Sequence, residues 1–108
     1  MKEMKLQTTN SYYARIYIAG DVSHAKRICA KWVTKHGGCV NVSETEYIYT
    51  GGQEKGIIVE FINYPRFPVD SYQLTVKAKE LGDILRKKLS QRSYSIQTPD
   101  ITIRYTLP

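Results

Sequence analysis

The sequence contains little cysteine and no long apolar run. Cys29 and Cys39 are its only cysteines, too few for the disulfide framework that holds small secreted domains together. No apolar segment reaches the roughly 18 residues of a membrane span, and the first residues lack the basic-then-apolar order of a signal peptide. These absences predict a protein of the reducing cytoplasm that has no membrane partner.

Histidine is equally scarce, which bears on catalysis and on metal binding. His24 and His36 are the only two, and twelve residues of helix would hold them about 18 Å apart. Neither cysteine has a CxxC partner or a histidine at ligand spacing within its own segment. The sequence therefore predicts no metal site, no catalytic residues and no cofactor, and it indicates a protein that is not an enzyme.

What the sequence does contain is sufficient for one folded domain. Of its 108 residues, 42% are hydrophobic and 24% are charged, and a chain of this length can bury a core without disulfide or metal support. Residues 1–11 are polar and lack periodicity. We therefore predict a flexible N-terminal leader at 1–11 and a single domain at 12–108.

The charge of the chain is one-sided. Sixteen Lys and Arg against ten Asp and Glu give a net charge of +6. This excess favours anionic partners such as nucleotides, nucleic acid or an acidic protein surface. The cations between residues 86 and 92 fall at the end of a predicted helix, where they complement the macrodipole and solvate the surface.

Hydrophobic periodicity divides the domain into strands and two helices. Strands are predicted at 12–19, 39–50, 57–64, 94–97 and 101–107. The first helix follows the N-cap Asp21 and ends at Gly37-Gly38, and the second follows the N-cap Asp70. The second strand is long, so a β-bulge is expected near residues 44–46, and residues 50–56 are expected to turn the chain into the third strand.

The resulting order, β-α-β-β-α-β, is that of the ferredoxin-like split βαβ motif. We therefore predict an α+β sandwich in which an antiparallel sheet has both helices on one face and an extra C-terminal strand. Tyr13, Arg15, Tyr17 and Arg104 are the expected contacts of the open sheet face. Such a face must meet water, a ligand or a second subunit, and a homo-oligomer, a dimer or higher, is expected.

Two loops carry the strongest local chemistry, within YIYTGG (47–52) and NYPRFP (63–68). A Gly-Gly pair lets backbone amides approach a phosphate, and an arginine beside an aromatic ring can hold a phosphate and a base. The predicted ligand-binding residues are Tyr49, Gly51, Gly52, Tyr64, Arg66 and Phe67. In the simpler interpretation, the glycines only form a hairpin turn and the second loop only ends a strand, with Phe67 in the core.

These segments, together with residues 16–21 (IYIAGD), resemble a group of small bacteriophage and prophage proteins over most of residues 12–107. The resemblance implies a phage setting and a location in the host cytoplasm. It also implies a small basic protein that blocks a host defence, either by sequestering a nucleotide signal or by occupying a host complex. It assigns no binding residue.

Three functions remain open from the sequence. The first is a non-enzymatic anti-defence protein that sequesters a phosphate-bearing nucleotide with the two loops. The second is an inhibitor of a host complex, of the anti-CRISPR type, that acts through the open face or the basic helix. The third is an RNA- or DNA-binding module. In an RRM, however, aromatic residues stack bases where this sequence has Ile57 and Val59, which leaves stacking to Tyr13 and Tyr17.

Overall fold

The computed structural model describes residues 2–108, which form five strands and two helices. In chain order the elements are β1 (Tyr13–Ala19), α1 (Val22–His36), β2 (Asn41–Tyr49), β3 (Gly52–Ile62), α2 (Ser71–Lys88), β4 (Ser93–Gln97) and β5 (Thr102–Thr106). The strands make one antiparallel sheet in the order β2-β3-β1-β4-β5. The predicted ferredoxin-like α+β class is confirmed, and β5 is the expected extra strand.

Strand β1 lies at the centre of the sheet, with two strands on each side of it. It runs antiparallel to β3 along its whole length, with Tyr13 opposite Ile62, and it pairs β4 on the other side, with Ile16 opposite Ile96. Its side chains alternate: Ala14, Ile16 and Ile18 are buried, whereas the residues between them are partly exposed. This alternation separates a core face from an open face.

Both helices begin at an aspartate and cover the core face. Asp21 accepts a hydrogen bond from the His24 amide (2.8 Å), and Asp70 accepts one from the Gln73 amide (2.7 Å), so each carboxylate satisfies a donor of the first turn. The core between helices and sheet is apolar. It contains Ala14, Ile16, Ile18, Ala25, Ile28, Cys29, Trp32, Ile57, Val59, Phe61, Leu74, Ala78, Leu81, Leu85, Leu89, Tyr94 and Ile96.

The hairpin between β2 and β3 differs from its prediction in two respects. The register is continuous from Asn41 opposite Glu60 to Tyr49 opposite Gly52, so the bulge expected near residues 44–46 is wrong. The turn is also much shorter than predicted, because β3 begins at Gly52 and only Thr50 and Gly51 connect the strands. Gly51 has a φ of 91°, a left-handed conformation that suits glycine in a tight turn.

The N-terminal segment has no regular secondary structure, yet its end is bound to the domain. Asn63 is 7% exposed, and its side-chain amide donates to the Thr9 hydroxyl (3.0 Å) and to the Asn10 carbonyl (2.9 Å). The Asn63 side-chain oxygen accepts from the Val69 amide at 2.9 Å. One buried side chain therefore joins the N-terminal segment to the loop that precedes α2. Within residues 2–108, neither helix is long and apolar enough to cross a bilayer.

Candidate functional site

The open face of the sheet carries the polar and aromatic side chains that the core excludes. Because residues that pair across strands share a face, the register places Glu60 beside Arg15, and Ser95 between Tyr17 and Arg104. The face includes Tyr13, Arg15, Tyr17, Asn41, Tyr47, Glu60, Ser95, Gln97 and Arg104. The register places Tyr13, Arg15, Tyr17 and Arg104 on this face, and their predicted role as contacts remains a prediction.

An ion pair occupies the middle of this face. The Arg15 guanidinium donates to the Glu60 carboxylate across β1 and β3, and the two side chains are 35% and 23% exposed. The Asn41 amide donates to the other Glu60 oxygen at 3.3 Å, and the Arg15 guanidinium lies 4.0 Å from the centre of the Tyr13 ring. The hydrogen bond with Glu60 is the main reason that the pKa of Arg15 is raised. Both charges are therefore held in one arrangement before any ligand arrives.

Two tyrosines lie along the face on one side of this pair. The Tyr17 hydroxyl donates to the Gln97 side-chain oxygen at 2.7 Å, which fixes the ring over the boundary of β1 and β4. The Tyr47 hydroxyl donates to the Ile57 carbonyl at 2.7 Å, and its ring lies directly over Gly56, where any Cβ would overlap it. Burial raises the pKa of Tyr47 to about 12. Both rings are thus fixed by their hydrogen bonds, and Tyr47 is neutral at physiological pH.

Two clefts lie on the open face, one beside Tyr17 and Tyr47 and the other beside Tyr13 and Arg15. One has a volume of about 270 Å³ and is lined by residues that include Tyr17, Tyr47, Glu54, Ser93 and Ser95. The other has a volume of about 480 Å³ and lies between the N-terminal segment and the strands, beside Tyr13, Arg15 and Glu60. Volumes of this order are those of small-molecule sites. Glu60, Gln97 and Tyr47 were not predicted from the sequence, although the β1–β3 register would have revealed Glu60.

The two predicted loops lie far apart within one chain. Tyr49, Gly51 and Gly52 are at the tip of the β2–β3 hairpin, whereas Tyr64, Arg66 and Phe67 follow the opposite end of β3. Strand β3 has eleven residues, and a strand of that length spans roughly 35 Å. One small ligand cannot contact both loops of the same chain, so a shared site would need a second copy. The binding roles of these six residues remain predictions.

The loop at residues 63–68 forms a separate shallow cleft. The Phe67 amide donates to the Tyr64 carbonyl at 2.9 Å, which closes a tight turn around Arg66. Phe67 is 46% exposed, so it does not fill the core as the simpler interpretation proposed. The Arg66 guanidinium lies 5.3 Å from the centre of the Phe67 ring. A cleft of about 200 Å³ separates this loop from Gly37 and Gly38.

Among residues 2–108, no three His, Cys, Asp or Glu side chains are grouped closely enough to hold a metal ion. Cys29 is buried in the core, and burial raises the pKa of its thiol to about 11. A thiol with so high a pKa is a poor nucleophile at neutral pH. Cys39 is exposed at the end of α1.

Comparison with known proteins adds a structural relationship but no sequence family. The sequence matches no protein-family model and no curated protein. In structure the chain is similar to a phage SAM lyase in its apo state, with a TM-score of 0.77 and 18% identity over 98% of this chain and 97% of that one. It is also similar to a phage SAM lyase in complex with S-methyl-5'-thioadenosine, with a TM-score of 0.67 and 16% identity over 98% and 97% of the two chains.

A third similar structure is CutA from Synechococcus elongatus PCC7942, with a TM-score of 0.50 and 12% identity over 94% of this chain and 84% of that one. At these identities the similarities establish the fold.

The lyase structures contradict the prediction that the chain is not an enzyme. The chain shares its fold with them along nearly its whole length, and they are enzymes. The prediction was based on the absence of nucleophile, metal and histidine motifs. An enzyme can also work by positioning and electrostatics, and such a site leaves no motif in the sequence.

Proposed function

We propose that this chain is a phage-encoded enzyme that cleaves S-adenosylmethionine (SAM) and releases S-methyl-5'-thioadenosine. The observation that carries the proposal is the Arg15–Glu60 pair, held among tyrosines on the open face of a fold shared with phage SAM lyases. This ligand replaces the phosphate-bearing nucleotide expected from the loops, because S-methyl-5'-thioadenosine is a nucleoside thioether without phosphate. An adenosyl group, a sulfonium and a zwitterionic amino-acid end are the features to be recognised.

The chemistry of the open face suits such a substrate. SAM has an ammonium group, a carboxylate and a sulfonium, and Glu60 with Arg15 offers one charge of each sign for the amino-acid end. Aromatic faces attract cations; the ring of Tyr13 already holds the Arg15 guanidinium, so the ring of Tyr17 suits the sulfonium, and Tyr47 suits the adenine base. Tyr13 and Tyr17 are four strand residues apart, about 13 Å, so one extended ligand can contact both.

The reaction can proceed without a nucleophile from the protein. Cleavage breaks the bond between the sulfonium sulfur and the γ carbon of the amino-acid chain, and the electron pair stays on sulfur as the neutral thioether leaves. In one route, the substrate's own carboxylate oxygen bonds to the γ carbon and closes a lactone. In the other route, a base removes a proton from the β carbon, and a double bond forms between the β and γ carbons. The second route needs a base, and Glu60 is already bound by Arg15 and Asn41. The internal attack therefore fits these residues better, and it explains why no catalytic motif is visible in the sequence.

Cleavage of SAM would remove the methyl donor that host methyltransferases use. An anti-defence function of this protein would act through that depletion. The site would then act in the host cytoplasm, where the substrate is present.

The direct test is to incubate the purified protein with SAM and to follow both compounds by liquid chromatography and mass spectrometry. We expect SAM to be consumed and S-methyl-5'-thioadenosine to form in equal amount, with no S-adenosylhomocysteine. The heat-denatured protein reports the spontaneous rate of cleavage. If SAM persists at that spontaneous rate, the enzymatic proposal is refuted, and calorimetry with SAM then shows whether the open face binds it at all.

A homo-oligomer is proposed on the exposure of the hairpin tip. Ile48 is 77% exposed and Tyr49 is 55% exposed, and both lie at the tip of the β2–β3 hairpin, which extends past the end of β1 at Ala19. Exposed apolar side chains of this size favour burial against a second copy. Sedimentation velocity should give a mass that is a multiple of 12.4 kDa, and Ile48→Glu should shift it toward the monomer. A wild-type monomer at micromolar concentration would contradict the proposal.

A further inference from the structure

The positive charge of the protein is concentrated in its helices. Helices α1 and α2 carry nine of the sixteen Lys and Arg residues but only two of the ten Asp and Glu residues, a net charge of +7. The remaining seven cations and eight anions give −1, and the two values together make the +6 of the chain. The sheet, the loops and the N-terminal segment are thus nearly neutral, and the helical layer alone is strongly basic.

Most of these cations have no acidic partner. In the part of the chain that the structure describes, the helical layer contains one ion pair, between Lys79 and Asp83 at 2.9 Å. Helix α1 contains four cations and no acidic residue in its fifteen positions. Its cations Lys26, Arg27, Lys31 and Lys35 are all exposed. Their field is therefore directed outward and is not cancelled by neighbouring carboxylates.

The spacing of these cations suits a phosphate backbone. Arg27, Lys31 and Lys35 succeed one another at intervals of four residues, about 6 Å along the helix axis. Two nucleotides of one DNA strand advance by about 6.8 Å along the duplex axis. The end of α2 lies close to the start of α1, because Leu89 packs beside Gly20. It adds the exposed cations Lys87 and Lys88.

The surface lacks the features that binding to a membrane and reading of base edges would need. A helix that binds a membrane surface inserts large apolar side chains between its cations, but α1 has no exposed large hydrophobic residue, and those of α2 are Tyr72 and Val76 in its first half. Reading of base edges relies largely on Asn, Gln and Arg in the groove, whereas α1 contains no Asn or Gln and Arg27 is its only arginine. The structure therefore favours contact with phosphates alone.

We propose that the helical layer of this protein binds the phosphate backbone of a nucleic acid without reading its sequence. The face lies opposite the open sheet face, so this interaction is separate from the proposed cleavage of SAM and does not depend on it. The proposed nucleic-acid surface also differs from the one that the sequence suggested, where base stacking depended on Tyr13 and Tyr17.

The test measures binding to a fluorescein-labelled 20-base-pair DNA duplex of mixed sequence by anisotropy, between 50 and 200 mM salt. The variant Lys31→Glu with Lys35→Glu changes the charge of α1 by four. The matched control, Lys5→Glu with Lys55→Glu, makes the same change at two exposed lysines outside the helices. Circular dichroism melting checks that both variants are folded.

We expect wild-type binding to weaken steeply with salt, and we expect the helix variant to bind at least tenfold more weakly at 50 mM salt. Its slope of log K against log salt should decrease by about two, because two lysines no longer neutralise a phosphate. The control variant should stay within about threefold of the wild type. A second duplex of unrelated sequence should bind equally well.

Several outcomes would overturn the proposal. Equal weakening of both variants would show that only net charge matters and that no face is specific. Absence of wild-type binding at 50 mM salt would refute it directly. Vesicles of phosphatidylserine and phosphatidylcholine serve as the competing anionic surface, and binding to them without binding to the duplex would assign the helices to a membrane.

Discussion

The two faces of the sheet hold their charges in opposite ways. On the open face, Arg15 and Glu60 neutralise each other, and tyrosines whose hydroxyls are hydrogen-bonded surround them. On the helical face, eight of nine cations have no acidic partner among the described residues. A paired and partly buried charge can position a small ligand, because its orientation is fixed and desolvation strengthens its field. Exposed unpaired charges instead attract large anions at long range, and salt screens them.

The difference teaches that net charge indicates little about where a small molecule binds. The excess of six positive charges first suggested an anionic nucleotide held by loops, yet all of it belongs to the helices, whose net charge is +7. The face that resembles a small-molecule site is close to neutral. The following predictions separate the two faces by experiment.

The largest expected effect is on the open face. Glu60→Gln keeps the shape of the side chain but removes the charge that Arg15 and the substrate ammonium share. Loss of a charge-assisted hydrogen bond of about 1.5 to 3 kcal/mol predicts a fall in kcat/KM for SAM of about 10- to 100-fold. The matched control is Glu80→Gln, an exposed glutamate of α2 that makes no hydrogen bond in the described chain. An equal fall in kcat/KM in both variants would contradict the assignment of SAM cleavage to the open face.

The second effect concerns the inner side of α2. Gly82 lies in the middle of the helix, and the ring of Tyr94 packs so closely on it that a Cβ would overlap the ring. Gly82→Ala should therefore lower the free energy of unfolding by about 1 to 3 kcal/mol, although alanine is ordinarily the better helix former. Urea denaturation measures the change. Thr34→Ala on the exposed side of α1 should be neutral or slightly stabilising, and a more stable Gly82→Ala protein would contradict the packing argument.

The sequence was sufficient for the fold because periodicity and caps are local signals. The alternation of β1, the two aspartate caps and the apolar stripes of both helices all fall where expected, and they leave little freedom in topology. The β2–β3 turn was misjudged because Gly52, Gln53, Glu54 and Lys55 look like loop residues. Their strand conformation comes from pairing with β2, which a local pattern does not reveal.

The candidate site was harder to predict because it depends on register. Arg15 and Glu60 are 45 residues apart in the chain, and Tyr17 and Gln97 are 80 apart. No motif spans such separations, and only the antiparallel pairing brings each pair together. The binding site was instead predicted in the two loops with unusual sequences, at residues 47–52 and 63–68, and the structure places these loops at opposite ends of β3.

The third prediction concerns the attachment of the N-terminal segment. Asn63→Ala removes three hydrogen bonds of a buried side chain, those to Thr9, Asn10 and Val69. The Val69 amide then loses its partner, so the free energy of unfolding should fall by about 1 to 2 kcal/mol. Trypsin should also cleave after Lys2 and Lys5 faster than in the wild type. If stability falls while these cleavages do not accelerate, Asn63 supports the loop alone.

The smallest effect at neutral pH is expected at Tyr47. Tyr47→Phe loses the hydrogen bond to the Ile57 carbonyl, about 1 kcal/mol. The informative region is alkaline, because burial raises the pKa of Tyr47 from 10.0 to about 12 in the folded protein. Between pH 10 and 12 the unfolded chain loses this proton first, so the free energy of unfolding falls as pH rises, by up to about 2 kcal/mol for this group. Below pH 10 its contribution is complete.

Tyr47→Phe should therefore flatten the stability profile between pH 10 and 12, although Cys29 and Tyr94, whose pKa values are also raised by burial, still contribute to the decline. Tyr72→Phe is the control, because Tyr72 is 77% exposed on the helical face. It should leave the wild-type profile unchanged. An equally steep profile in Tyr47→Phe would mean that the ring is solvated, and the open face would then lack the dry aromatic surface proposed for the adenine base.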